Sequence, residues 1–221
     1  MILSKIRVFF IKIFRYPFTK PIRESGVPGW FTVKELNFLY SMVLRANADN
    51  CIEIGTFFGR SSYATCLALG RMGGRRRLIC VDLFNCISFA EWNDKGMKTV
   101  SDYSAYLNPK IRNMLDGFNF TIERYPFMKD LVEIRACDSK TLNLQSERFG
   151  FALIDGDHSY DGVKSDFLKI FPQMKKGGII CFHDNSSAWP EVRKLVLEIK
   201  DTKGLVVLGE AHSTIAFQRT G

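Results

Sequence analysis

The sequence predicts an α/β sandwich on a mostly parallel sheet, and three observations predict it. The runs Phe151-Ala152-Leu153-Ile154 and Gly178-Ile179-Ile180-Cys181-Phe182 are short, continuous and apolar, as strands covered on both faces must be. Between them, Tyr160 to Met174 carries Val163, Phe167, Ile170 and Phe171 at helical spacing, and Lys175-Lys176-Gly177-Gly178 is expected to stop that helix. The same alternation recurs upstream, and a strand, a crossover helix and a second strand make a right-handed unit with parallel strands.

The remaining elements follow in chain order. Thr32 is an N-cap with Glu35 three residues on, a capping box, and the helix after it presents Leu36, Leu39, Tyr40 and Val43. Asn50 to Gly55 reads as the first strand, Arg60 to Leu69 as a helix closed by Gly70, and Arg77 to Val81 as a second strand ending at Asp82. Residues 84–130 are long and mixed, and are expected to hold a helix and a mobile segment over the active site. Leu131 to Ala136 is another strand, with Asp138 just beyond it. After Asn185, Glu191 to Ile199 is helical, and Leu205-Val206-Val207-Leu208 with Thr214-Ile215-Ala216-Phe217 forms a closing antiparallel pair.

With 221 residues, 46% of them hydrophobic and 24% charged, the chain is expected to fold as one soluble domain. Its net charge of +8 is local. Lys5, Arg7, Lys12, Arg15, Lys20 and Arg23 put +6 into residues 1–23, which contain no acid; the other 25 basic and 23 acidic residues leave +2. A near-neutral body argues against a nucleic-acid substrate, and Arg75-Arg76-Arg77 reads as a solvated turn. The division expected is a basic amphipathic arm over residues 1–31 and a folded domain over 32–221.

In residues 1–18, Ile2, Ile6, Phe9 and Ile13 share a helical face, with Lys5, Lys12 and Arg15 largely off it. The run Val8 to Ile11 is too short to span a bilayer, and Lys12 interrupts any signal-peptide core. Two readings stay open: an interfacial membrane helix, or a helix packed on the body or on a second subunit of a homo-oligomer. The six cysteines, at 51, 66, 80, 86, 137 and 181, show no metal-ligand spacing and read as small core residues in a reducing compartment. The expected location is the cytoplasm, peripheral on the inner membrane face if the arm binds lipid.

The chemistry-bearing residues lie at strand ends. Asp155-Gly156-Asp157-His158 and His183-Asp184-Asn185 each close an apolar strand. If those strands are neighbours, their ends lie roughly 5 Å apart and both clusters reach the crevice at the carboxyl edge of the sheet, where open α/β sheets bind ligands. Three carboxylates, two imidazoles and an amide on one rim are costly without positive charge among them, and a divalent cation would supply it. At the first strand, Gly55 and Gly59 permit a tight turn and close ligand approach, with free N–H groups at the next helix start. The spacing is not G-x-G-x-x-G, and Glu53 precedes the first glycine. An acid there repels a pyrophosphate but suits a ligand carrying a sulfonium and an α-amino group. Asp82 is placed to accept ribose hydroxyls, and Asp138 to accept from an adenine amino group.

With these segments the chain resembles the class I S-adenosylmethionine-dependent methyltransferases over about residues 32–219. The likeness is to small O-methyltransferases of the macrocin O-methyltransferase, cephalosporin hydroxylase-like and catechol O-methyltransferase-like type. E-I-G-T-F-F-G-R-S-S is similar to their first motif and V-D-L-F to their second. I-D-G-D-H-S-Y-D-G-V, with K-G-G-I-I-C-F-H-D-N, is similar to their metal and substrate edge. The resemblance implies a Rossmann-like three-layer sandwich with a seven-stranded sheet in order 3-2-1-4-5-7-6, the last strand antiparallel. It implies S-adenosylmethionine held by Glu53, Gly55, Thr56, Gly59, Ser61, Asp82, Leu83, Asp138, Ser139 and Asp155. It also implies Mg²⁺ or another divalent cation on Asp155, Asp184 and Asn185. His183 stays open between a ligand and a strand-end residue packed under the site.

The reaction expected is methyl transfer to a small-molecule or sugar hydroxyl, held at the near-attack distance of roughly 3–3.5 Å. A cation lowers the hydroxyl pKa and fixes its direction. His158 is the candidate to take the proton, with Asp157 orienting it. Two alternatives remain: a nicotinamide-dependent oxidoreductase, against which Glu53 and the missing third glycine count, and a non-catalytic membrane-associated protein that kept the fold.

Overall fold

The computed structural model describes residues 19–23, 25–84, 104–106 and 108–221. The expected amphipathic helix of residues 1–18 and the larger part of the expected covering segment lie outside them. Seven strands form one sheet: β1 (Asn50–Ile54), β2 (Arg77–Asp82), β3 (Val132–Ala136), β4 (Phe149–Ile154), β5 (Met174–Phe182), β6 (Leu205–Ala211) and β7 (Thr214–Arg219). Their order is β3-β2-β1-β4-β5-β7-β6, with β7 antiparallel to both neighbours and the pairs from β3 to β5 parallel. This is the expected topology.

Six α-helices are described: α1 (Thr19–Arg23), α2 (Val33–Ala46), α3 (Arg60–Met72), α4 (Met114–Arg124), α5 (Tyr160–Ile170) and α6 (Pro190–Ile199). Strand alternation divides the core between the two sheet faces. Cys51, Phe151, Leu153, Ile179 and Cys181 pack with the apolar stripes of α2 and α3. Ile52, Ile54, Ala152, Ile180 and Phe182 pack with those of α5 and α6. These are the three layers.

Two helix ends differ from the expectation. Helix α3 continues through Gly70 to Met72 and is capped at Gly73, whose φ is +65°. An interior glycine costs a helix about 1 kcal/mol, which the packed preceding turns absorb; the positive φ after Met72 is what ends it. Helix α5 ends at Ile170 because Pro172 in the next turn lacks an N–H and cannot continue it. The Lys175-Lys176-Gly177-Gly178 segment is therefore not a helix stop but part of β5. A register slip between Phe149 and Phe151 on β4 absorbs its extra residues.

The described part of residues 1–31 packs into the body. Ile22 and Val27 are fully buried and Phe31 nearly so. Arg60, the first residue of α3, donates from Nη1 to the Val27 carbonyl at 2.7 Å and from Nε to the Phe31 carbonyl at 2.8 Å. Tyr63 and Tyr125 donate to the carbonyls of Pro21 and Ser25. Among the described residues no helix is long and apolar enough to cross a membrane.

Candidate active site

A cavity of about 450 Å³ opens at the carboxyl ends of β1 to β5, where a doubly wound sheet places its ligands. Its walls include Gly55, Thr56, Ser61, Asp82, Leu83, Asp138, Ser139 and Asp155 from the residues implicated by the sequence, with His158 and Asp184. Glu53, Gly59 and Asn185 are not on its wall.

The turn after β1 is shaped by close approach. Gly55 has φ +85°, and a Cβ there would fall 2.0 Å from the Asp155 carbonyl oxygen, so only glycine lets β1 and β4 end side by side. Thr56 and Phe57 donate their N–H groups to Asp82 Oδ2 at 2.8 and 2.9 Å, and Phe84 donates to Asp82 Oδ1 at 2.8 Å. Asp82 thus ties the glycine turn to the end of β2, and of its roughly four acceptor positions one is left for a ligand. Asp138 likewise accepts from the Lys140 N–H at 2.8 Å, capping a short turn. Glu53 pairs in register with Cys80 and Leu153 and faces the α3 side of the sheet. There it accepts from Ser61 Oγ at 2.5 Å and Ser62 Oγ at 2.8 Å. It reaches the cavity only through Ser61. Burial, above all, with Asp155 and Asp82 nearby, pushes its pKa up to about 8 against the two serine hydroxyls.

At the ends of β4 and β5, two carboxylates and two imidazoles converge. His158 Nε2 lies 2.9 Å from Asp184 Oδ2 and 3.9 Å from Asp155 Oδ1. His183 Nδ1 lies 3.0 Å from Asp155 Oδ1 and 3.4 Å from Asp184 Oδ2. Burial would lower both histidines, yet the paired carboxylates hold His158 up at about 9 and His183 up at about 12. Burial raises Asp184, but His158 and His183 outweigh it and hold it down at about 2. Asp184 has φ +58°, a left-handed conformation that costs a non-glycine residue ~1 kcal/mol. Asn185 follows, its N–H donating to the Ser213 carbonyl at 2.8 Å. Asp157 is on the cavity wall, where it accepts from the Ser159 N–H at 2.9 Å and lies 3.9 Å from Lys140 Nζ. The group that orients His158 is Asp184, with Trp189 stacked on its ring at 4.2 Å.

Ligand atoms of Asp155, His158 and Asp184 all lie within 4.8 Å of one another, a spacing that one cation can bridge. His158 Nε2 is buried and faces the Asp184 and Asp155 carboxylates, so the donor set of two carboxylates and an imidazole fits a divalent ion.

The sequence left one contributor, His183, open between two roles and did not show two others. His183 lies at the centre of the cluster, 4% exposed by its side chain and stacked on Phe31 at 3.8 Å. Glu35, recognised only as half of a capping box, is fully buried and its Oε1 lies 3.5 Å from His183 Nε2. Trp30, which lines the cavity and packs on Phe57 at 5.0 Å, belongs to the stretch assigned to the basic arm.

The strand order with its reversed β7, the glycine turn after β1 and the acid-lined crevice define a class I methyltransferase. A family model described as a methyltransferase domain (Methyltransf_24) matches residues 52–185. The chain belongs to that family and is an S-adenosylmethionine-dependent methyltransferase. Among solved structures it is similar in fold to the O-methyltransferase NovP, at 15% identity and a TM-score of 0.66, covering 92% of this chain and 88% of NovP. TomG from Streptomyces achromogenes, an O-methyltransferase involved in tomaymycin synthesis and solved with S-adenosylmethionine, aligns at 12% identity over 98% of this chain and 96% of its own, with a TM-score of 0.60. CalS11, a TDP-rhamnose 3′-O-methyltransferase, aligns at 19% identity over 83% and 77%, with a TM-score of 0.54. No curated protein matches the sequence.

Proposed function

We propose that this enzyme transfers the methyl group of S-adenosylmethionine to a hydroxyl oxygen of a small-molecule or sugar acceptor, assisted by a divalent cation such as Mg²⁺. The observation that carries the reading is the convergence of Asp155, His158 and Asp184 beside the donor cavity. In the reaction the sulfur–methyl bond breaks, a carbon–oxygen bond forms, and S-adenosylhomocysteine and a proton leave. The acceptor class is supported by structural neighbours such as CalS11, whose name specifies a sugar hydroxyl.

Each residue then has a physical task. Ser61 and the remaining acceptor positions of Asp82 and Asp138 bind the donor, and Glu53 sets the potential beneath Ser61. Asp155 and Asp184 would hold the cation, which when bound lowers the pKa of an acceptor hydroxyl and fixes its direction. His158 is the proton-trading member: protonated, it pairs with Asp184; deprotonated, its Nε2 takes either the cation or the acceptor proton. Trp30, Phe31 and Met114 line the cavity and exclude water from it.

The test is label transfer from methyl-labelled donor to a panel of phenols and nucleotide sugars. Asp155→Asn and Asp184→Asn are expected to lower transfer at least 100-fold while S-adenosylhomocysteine binding stays within a few-fold. Undiminished transfer in excess chelator would remove the cation from the reading. In His158→Ala, lost Mn²⁺ affinity identifies a ligand, whereas intact affinity with lost turnover identifies the base.

A further inference from the structure

A capping box needs only one oxygen of its glutamate and no burial. Glu35 is nevertheless fully buried, and a desolvated carboxylate is costly unless its lone pairs are committed. Here they are. Oε2 accepts from the Thr32 N–H and Oγ, both at 2.8 Å. Oε1 accepts from the Ser213 N–H at 3.0 Å, Ser213 Oγ at 2.6 Å and Thr214 Oγ1 at 3.2 Å. His212 Nδ1 lies 3.4 Å away on the same hairpin. One carboxylate therefore pins the start of α2 to the turn between β6 and β7, and its Oε1 also faces His183 Nε2. The other ring nitrogen of His183 faces Asp155. The imidazole is clamped flat against Phe31 and spans from Glu35 to Asp155, one nitrogen toward each.

From this geometry we infer that His183 and Glu35 are positioning residues: Glu35 fixes the His183 ring, and His183 Nδ1 fixes Asp155 in the orientation that the cation requires. The inference rests on the cation reading proposed above. It assigns a cause to the burial of Glu35, and it makes α2 and the β6–β7 turn, which lie outside the cavity's donor half, part of what shapes the metal-facing carboxylates. Partners that orient ligating groups typically change metal affinity 10–100-fold when removed.

The test uses the full chain and Mn²⁺ alone as probe, by calorimetric titration, with S-adenosylhomocysteine binding measured beside it. Glu35→Gln is expected to weaken Mn²⁺ binding about 10-fold or more and to leave S-adenosylhomocysteine within about twofold. A second set separates positioning from simple packing. In His183→Asn, the amide nitrogen can replace Nδ1 and still donate to Asp155, whereas His183→Leu fills similar space with no donor. Asn is expected to retain affinity that Leu loses. If His183→Asn and His183→Leu bind Mn²⁺ equally, or if Glu35→Gln binds it like wild type, the positioning role is overturned while the cation reading stands. A wild-type chain that binds no Mn²⁺ overturns both.

Discussion

Glu53 lies beneath the donor turn with no access to solvent, and its titration reports on the cavity above it. Burial dominates, and the carboxylates of Asp155 and Asp82 add to it, so that the pKa rises from 4.5 to about 8 despite two serine donors. Between those two values the folded chain keeps a proton that the unfolded chain has released. The unfolded state then binds fewer protons, and stability falls as pH rises through the window. At about 1.4 kcal/mol per pKa unit, the loss attributable to this one group is at most about 5 kcal/mol, complete only above pH 8. Glu53→Gln keeps a side chain that accepts from Ser61 but cannot titrate. Urea denaturation between pH 5 and 8.5 should show the wild-type midpoint dropping relative to that of the variant. A cationic donor above Ser61 favours the ionised carboxylate, so donor binding at pH 7 should release a proton in wild type and not in the variant. Calorimetry in two buffers of different ionisation enthalpy measures that release. Parallel stability profiles in the two proteins would refute the reasoning, because they would mean that Glu53 carries the same charge in the folded and unfolded chains.

Gly55→Ala must place a Cβ 2.0 Å from the Asp155 carbonyl at φ +85°, and is expected to destabilise by at least 3 kcal/mol or to abolish soluble expression. Gly70→Ala meets nothing within 4 Å in the interior of α3, and should raise stability by ~0.5–1 kcal/mol in the same denaturation assay. Arg60→Lys replaces a guanidinium that donates to two carbonyls by a single ammonium, so a loss of ~1–3 kcal/mol and faster tryptic cleavage at Arg23 are expected; cleavage at the wild-type rate would deny Arg60 its part in holding residues 27–31.

What the sequence made legible is what local pattern controls. Apolar runs bounded by glycine and aspartate mark β4 and β5, and the spacing of Val163, Phe167 and Ile170 marks α5, because those signals act within a few residues. The strand-end position of Asp155 and Asp184 follows directly from them. The role of Glu35 could not be read so, since its partners His183 and Ser213 lie 148 and 178 positions away, and the local signal, Thr32 three residues earlier, already accounts for a glutamate there. The placement of Asn185 could not be read for a related reason. Adjacency to Asp184 implies nearness only while the backbone stays extended, and the positive φ of Asp184 breaks that continuity. The face that Glu53 occupies was not legible either, because it is fixed by pairing with β2 and β4, not by its distance from Gly55.

The acids at the strand ends divide into two kinds, and the division bears on how the site is filled. Asp82 and Asp138 spend part of their acceptor capacity on backbone N–H groups of their own loops. These bonds shape the donor turn before any ligand arrives, and a ligand need only use the acceptor positions that remain. Such a site is preorganised and loses little by binding. Asp155 and Asp184 are different, because their partners are imidazoles rather than amides. On the cation reading proposed above, an entering cation would replace the contact between His158 and Asp184 and leave His183 in place beneath Asp155, since His183 is held from the far side by Phe31 and Glu35. On that reading one histidine of the pair would be exchangeable and the other structural, although both lie within 4 Å of the same two carboxylates. That asymmetry is set by what stands behind each ring: Trp189, 42% exposed, behind His158, and a fully buried carboxylate behind His183.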